Sequence, residues 1–426
     1  MPLFTPELEF SDDYPTIEPS LKLDFANARA LDPRITFTRA STATYVGRDG
    51  LIKTAGEDEA RFDHDPTTGE SLGLLIEESR TNEILNSQVF TSGYNRSGID
   101  TITQNTTVTT PEGLTDGVGV ITESSGGTVH QFYEASSAQV TGYRVYSIFV
   151  KPFETNPRNY CVLLTSSFTH DLVNGTTLGS ASGEYVSATT TKFPNGWVLC
   201  TVTRNHSNTF DQFNFKLAKN GHQDYSYSGD GVSGVYVWGA QLEAGSFPTS
   251  YIPTSGSTVT REKDLPTIET SSIDFRDFTQ GGEGTLLCEF RNDDSNGSDI
   301  AVSFSGDTHN GATFIGLGSD TNNNPFVRNR VNGTNTVLIG DTSATTTGYH
   351  LVAFGIGQSR STIAVRNSTN GVQEDTSVSY DTTPYTKIII GCDQIFTDNN
   401  TISGTIKKLF YYPTLLTDTQ LQTLTQ

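Results

Sequence analysis

Trp197-Val198-Leu199-Cys200-Thr201-Val202 stands between the turn formers Pro194-Asn195-Gly196 and Asn205. β-Branched and aromatic residues bounded by turn residues make a short strand. Val145-Tyr146-Ser147-Ile148-Phe149-Val150 and Val235-Tyr236-Val237-Trp238 have the same composition. The texture returns in Gly284-Thr285-Leu286-Leu287-Cys288-Glu289-Phe290, His350-Leu351-Val352-Ala353-Phe354 and Thr386-Lys387-Ile388-Ile389-Ile390. Runs of this kind recur about every ten to fifteen residues, the spacing of antiparallel sandwiches. Strands do not alternate with amphipathic helices, which argues against an α/β sheet. No fixed-period repeat is visible, which argues against a β-helix or propeller. The fold class read from the chain is all-β.

One helix is expected. Thr417-Asp418-Thr419-Gln420 reads as a capping box, with Leu416 and Leu421 as a hydrophobic staple and Leu421 and Leu424 on one face. Composition divides the chain into four stretches. Residues 1–88 form an N-terminal segment with the hairpin-like pair Thr36-Phe37-Thr38-Arg39 and Ala43-Thr44-Tyr45. Residues 89–255 form a strand-dense block, 256–266 a polar linker, and 267–426 a second block.

The surface chemistry excludes several functions. The 426 residues carry 48 Asp plus Glu against 27 Lys plus Arg, a formal net charge of −21. Nucleic-acid and anionic-membrane binding need clustered Lys and Arg, so neither is expected. No apolar run reaches the about 20 residues of a membrane span, so no membrane insertion is expected. Met1-Pro2-Leu3-Phe4-Thr5-Pro6-Glu7 lacks the basic start and apolar stretch of a signal peptide. Synthesis and folding in a reducing cytoplasm are therefore expected. Cys161, Cys200, Cys288 and Cys392 are far apart in apolar stretches and read as buried, reduced thiols.

Few motifs carry chemistry. Gly229-Asp230-Gly231-Val232-Ser233-Gly234 matches G-x-G-x-x-G, but a strand follows it where a dinucleotide site needs a helix. Its glycines read as turn residues. Asp293-Asp294-Ser295-Asn296-Gly297-Ser298-Asp299 places oxygens at alternate positions. Two readings stand for it: an Asx-rich turn, or a structural calcium site on Asp293, Ser295 and Asp299. No other cofactor is expected. G-x-S-x-G and H-E-x-x-H are absent from the sequence. Glu77-Glu78 is the nearest approach to paired carboxylates, yet adjacent strand residues face opposite ways. No catalytic residue is assigned, and the chain is expected not to be an enzyme. The remaining signal is aromatic residues among polar loops, since sugars stack on aromatic faces while carboxylates and amides hold their hydroxyls. Asp224, Tyr225, Tyr227 and Asp230 supply that mixture, and Asn323 and Phe326 a weaker version.

Leu72-Gly73-Leu74-Leu75-Ile76-Glu77-Glu78-Ser79-Arg80-Thr81-Asn82 resembles a segment of phage and prophage virion structural proteins. It follows Thr36–Tyr45 and Ala60–Pro66, as in those proteins. Val235-Tyr236-Val237-Trp238-Gly239-Ala240-Gln241-Leu242-Glu243-Ala244-Gly245, then Pro248-Thr249-Ser250-Tyr251-Ile252-Pro253-Thr254, with Phe193-Pro194-Asn195-Gly196-Trp197 upstream, resembles their carbohydrate-binding-module-like jelly roll. The last block, ending Gly404–Pro413 and the short helix, is similar to concanavalin A-like or laminin G-like sandwiches. The resemblance implies two antiparallel β-sandwiches preceded by an N-terminal attachment segment. It further implies a virion component, a tail-fibre or other host-facing appendage binding host-surface polysaccharide. Implied partners are other virion proteins, docked through Met1–Pro19, and two further copies in a homotrimer. A capsid-decorating or head-fibre protein and a polysaccharide-degrading tail enzyme are the alternatives.

Overall fold

The computed structural model describes residues 13–28, 30–115, 117–134, 139–164, 167–293, 299–306, 313–343, 348–358, 360–376, 378, 380, 384–393 and 401–426. The start of the expected docking segment, residues 1–12, lies outside them, as do Ser295 and Asp398-Asn399-Asn400. Sheets of antiparallel strands dominate, as the alternating runs require, and the fold is all-β. Among the described residues no helix is long and apolar enough to cross a membrane.

The chain divides into two compact units. The first gathers Met1–Thr38, Leu72–Glu78 and Asp264–Gln426; the second takes Arg39–Ser71 and Ser79–Lys263. The second unit holds two 6-stranded sheets. One runs Tyr185–Lys192, Val198–Phe210, Gln139–Pro152, Gly234–Ala244, Val118–Glu123, Ile99–Asn105. The other runs Thr176–Gly179, Phe168–Asp171, Tyr160–Leu163, Asn214–Ala218, Gln131–Glu134, Tyr94–Ser97. Alternation sends every second side chain inward. Tyr146, Ile148, Val150, Cys200 and Val202 of the first sheet thereby meet Phe132, Cys161, Leu163, Phe215 and Leu217 of the second in one buried core.

The stretches that carried the resemblance have structural work here. Between Ser147↔Gln241 and Phe149↔Trp238 the register slips, and Gly239 takes φ +62 at the bulge. The slip seats Trp238 against Phe149 and Tyr251, in a second cluster with Trp197 and Phe193. A buried Trp removes about 150–250 Å² from water, worth about 4–6 kcal/mol at about 25 cal/mol per Å² before entropy. Asn82 is fully buried and pins the following strand. Its amide donates to the carbonyls of Ala240 (3.2 Å) and Ile252 (2.8 Å), and its oxygen accepts from the amides of Leu242 and Ile84. Gln241 and Glu243, also buried, hold the amides of Ile252 and Thr249.

In the first unit, one sheet orders Gln373–Asp375, Ser361–Val365, His350–Ile356, Gly284–Asn292 and Gly404–Tyr412. Gly404–Tyr412 then takes two early segments on its free edge: Leu21–Asp24 beside Lys408–Tyr411, and Leu74–Ile76 beside Gly404–Ile406. The opposing sheet orders Ile35–Thr38, Leu265–Glu269, Lys387–Ile390, Asp299–Ser305, Phe314–Ser319, Pro325–Val331, Thr334–Gly340. Phe304 of this sheet packs on Tyr411 of the first, with Phe275 and Phe278 around them. The C-terminal helix, Asp418–Leu424, has the expected capping box, and Leu416, Leu421 and Leu424 bury together.

Two expectations about organisation are corrected. Residues 36–39 do not pair with 43–45. Ile35 and Phe37 alternate inward, so that strand pairs with Leu265–Glu269, while Ala43–Val46 forms its own hairpin with Ile52–Ala55. Residues 1–88 are accordingly shared between both units, and 256–266 is not a free linker, because Val259–Arg261 pairs with Arg80–Asn82.

Candidate functional site

The sheet of the second unit that ends in Tyr94–Ser97 has a polar outer face. Phe132, Phe215, Leu217 and Cys161 point into the core, so alternation directs Gln131, Tyr133, Asn214, Lys216, Tyr160 and Val162 to the other face, where Lys216 and Val162 are nonetheless buried. The register aligns them in rows: Gln131 opposite Lys216 and Lys216 opposite Val162, with Tyr133 opposite Asn214. Asn95 and Ser97 extend the rows at the edge and are exposed. Asn214 Nδ2 donates to Gln131 Oε1 at 3.2 Å.

The loop after Ala218 folds across this face. Lys219 N donates to the Asp224 carbonyl, and Asn220 Nδ2 to Asp224 Oδ2 at 2.9 Å. Gln223 N donates to Thr169 Oγ1 at 2.9 Å, tying the loop to strand Phe168–Asp171. Tyr225 is thereby set over Lys216, whose Nζ lies 4.9 Å from the ring centroid. Burial lowers the Lys216 ammonium to about 8, since removing a charge from water favours its neutral form. A half-buried aromatic ring, an ammonium at the floor, and a rim of amides and phenols are thus collected on one surface.

The structure sorts the six residues read as sugar-binding. Asp224 and Tyr225 belong to this face. Half-buried Tyr227 and exposed Asp230, from the same loop, bond to the buried Glu123. Tyr227 donates its hydroxyl to Glu123 Oε2 at 2.7 Å, and Asp230 N donates to Glu123 Oε1 at 2.8 Å. Arg158 donates to both Glu123 oxygens, through Nε at 2.7 Å and through Nη2. Although desolvation opposes its charge, Asp230 is held well below the usual carboxylate range by hydrogen bonds from Ser233 and Val232. Their polar atoms are engaged in hydrogen bonds within this network, and the Asp230 side chain also reaches solvent. Asn323 and Phe326 lie in the first unit. Asn323 Oδ1 is 3.0 Å from His350 Nε2, in an Asx turn closed by Asp320. Phe326 packs with Ile300 and Phe314 at 4% exposure, which removes its ring from any stacking role. Asp293 Oδ2 pairs with Arg291 Nη2 at 2.9 Å, and Asp299 Oδ2 accepts from Asn292 Nδ2 at 3.0 Å. Among the described residues no three His, Cys, Asp or Glu side chains are grouped to hold a metal ion.

Sequence reading missed Gln131, Tyr133, Asn214 and Lys216. Their signal is the polar half of Gln131-Phe132-Tyr133 and Asn214-Phe215-Lys216-Leu217, alternating strands that sequence reading does not single out.

No family model matches the chain. No curated protein sequence matches it. Among solved structures, the native heptameric SAP-like pentraxin from Limulus polyphemus aligns with 15% identity and a TM-score of 0.29, covering 34% of this chain and 70% of that chain. The CBM40 of the Ruminococcus gnavus IT-sialidase, bound to α2,3 sialyllactose, aligns with 13% identity and a TM-score of 0.30, covering 35% of this chain and 90% of that chain. Domain 4 of a GH43 extracellular arabinanase from Geobacillus stearothermophilus, in complex with arabinotriose, aligns with 14% identity and a TM-score of 0.27, covering 42% and 81%. None of the three assigns a ligand or an activity to this chain.

Proposed function

We propose that this chain is a non-enzymatic component of a phage particle, a tail-fibre or other host-facing subunit that binds host-surface glycans. The observation that carries the binding half is the outer sheet face, where Gln131 lies in register with Lys216 and Tyr133 with Asn214, and Tyr225 covers Lys216. A sugar offers a C–H face to an aromatic ring and a rim of hydroxyls to amides and phenols, and this surface presents both kinds of partner. The virion setting rests on the likeness of 36–45, 60–66, 72–82 and 235–254 to phage structural proteins.

Titrating purified polysaccharide of the host surface against the intact chain and against Tyr225→Ala tests the face. A loss of about tenfold in affinity, or about 1.4 kcal/mol, is expected for removing one stacking ring. Equal affinity of the two proteins would exclude the face as the site. New reducing ends in the same incubation would overturn the non-enzymatic reading. Locating labelled antibody on intact particles by electron microscopy tests the virion setting separately.

A further inference from the structure

Cys161 and Cys200 are fully buried and stand on opposite sheets of the second unit, in strands Tyr160–Leu163 and Val198–Phe210. Their Sγ atoms lie 3.7 Å apart, although 39 residues separate them in sequence. A second inter-sheet contact lies beside them. His170 is the cross-strand neighbour of Cys161, and Thr190 that of Cys200. His170 Nδ1 is 2.8 Å from Thr190 Oγ1. The pairs Cys161–Cys200 and His170–Thr190 therefore form one layer that holds the facing sheets in a fixed alignment. Cys288 and Cys392 belong to the first unit.

We propose that Cys161 and Cys200 are a covalent modification site, closing to an inter-sheet disulfide when the chain meets a low-molecular-weight disulfide oxidant such as oxidised glutathione. One deprotonated thiol attacks a sulfur of the oxidant, breaks its S–S bond and releases one thiolate, which takes up a proton. The second thiolate attacks the protein sulfur of the mixed disulfide and releases the other. The chain loses two hydrogens, and two electrons pass to the oxidant. Closing the gap to a bond of about 2.05 Å asks the sulfurs to approach by about 1.7 Å, through rotation at Cβ and a local approach of the strands. Both thiols are shielded from solvent, so the reaction runs through transient opening of the strand pair or during folding. Its rate therefore rises as the unit is loosened.

The test incubates the intact chain with oxidised glutathione over a series of low urea concentrations. The products are alkylated, digested without reduction and mapped by mass spectrometry. The expected product is a single Cys161–Cys200 cross-linked peptide, two hydrogens lighter than its parts and forming faster as urea rises. The oxidised protein should melt about 5 °C higher or more, with the gain reversed by dithiothreitol. Cys200→Ala, checked for native near-UV circular dichroism, should give no cross-link and no gain. The proposal is overturned by recovery of Cys161 and Cys200 as free thiols or separate glutathione adducts at every urea concentration. It is equally overturned by cross-links spread indiscriminately over the four cysteines, or by an oxidised form that melts lower than the reduced one.

Discussion

Replacing Glu123 by Ala tests whether the network that joins Tyr227 and Asp230 to this buried carboxylate is a structural keystone of the second unit. Glu123 has no exposed side-chain surface, and Arg158 retains 11%. Removing one partner of a buried ion pair costs about 3–5 kcal/mol, because the other charge stays uncompensated. Asp230 lies 3.3 Å from Arg158 Nη2 and is 46% exposed, so it offsets part of the lost charge through a solvent-screened contact. The Tyr227 hydroxyl and Asp230 N lose their acceptor as well. The lower end, about 3 kcal/mol, is expected. For a unit of this size that lowers the melting midpoint by about 6–12 °C. The assay is urea unfolding followed by fluorescence and circular dichroism, extended to a cycle with Arg158→Met and the double variant. Because Arg158→Met strands a fully buried carboxylate, the double variant should lose less than the sum of the singles. A cost for Glu123→Ala below about 1 kcal/mol, or additive behaviour in the cycle, would refute the keystone role.

Two more predictions concern pH and the helix end. Burial lowers His170 from 6.5 to about 3, and His350 to about 4. Between those values and the unfolded-state value of about 6.5, the unfolded chain holds a proton that the folded chain refuses. This stabilisation is complete above pH 6.5 and is lost on acidification, at up to about 1.4 kcal/mol per pH unit for each histidine. Urea midpoints of His170→Gln should fall less steeply than wild type between about pH 6.5 and 4.5, above the ordinary carboxylate range; equal slopes would count against it. Thr417→Ala removes the side chain that accepts from Gln420 N at 3.3 Å. It should cost about 1 kcal/mol and speed hydrogen exchange at Gln420 and Leu421, leaving the second unit's exchange unchanged.

Much of the strand content was legible because it is local. Val145–Val150, Trp197–Val202 and Val235–Trp238 each carry β-branched or aromatic side chains between turn residues, and each lies largely within a long strand. The capping box at Thr417 was legible for the same reason. Pairing over long distances was not. Nothing in Leu21-Lys22-Leu23-Asp24 identifies Lys408–Tyr411 as its partner, since the match is made by edge geometry in the finished sheet. The meeting of Cys161 and Cys200 across two sheets was invisible for that reason too. At the candidate site, the Tyr225 loop was visible as an aromatic among polar residues. Lys216 was not, because a single Lys in a strand reads as a solvated face until the loop above it is known.

The first unit is assembled from three separated stretches, with the second unit's two stretches strung between them. A ribosome therefore releases Leu21–Asp24 and Leu74–Ile76 long before their common partner strand, Gly404–Tyr412, exists. All of the second unit's residues precede Asp264, so they are made before that partner strand. Waiting strands are unsatisfied edges, and unsatisfied edges on neighbouring nascent chains are the ones that find each other. Yield in a recombinant host should consequently depend on translation speed between Leu74–Ile76 and Gly404–Tyr412.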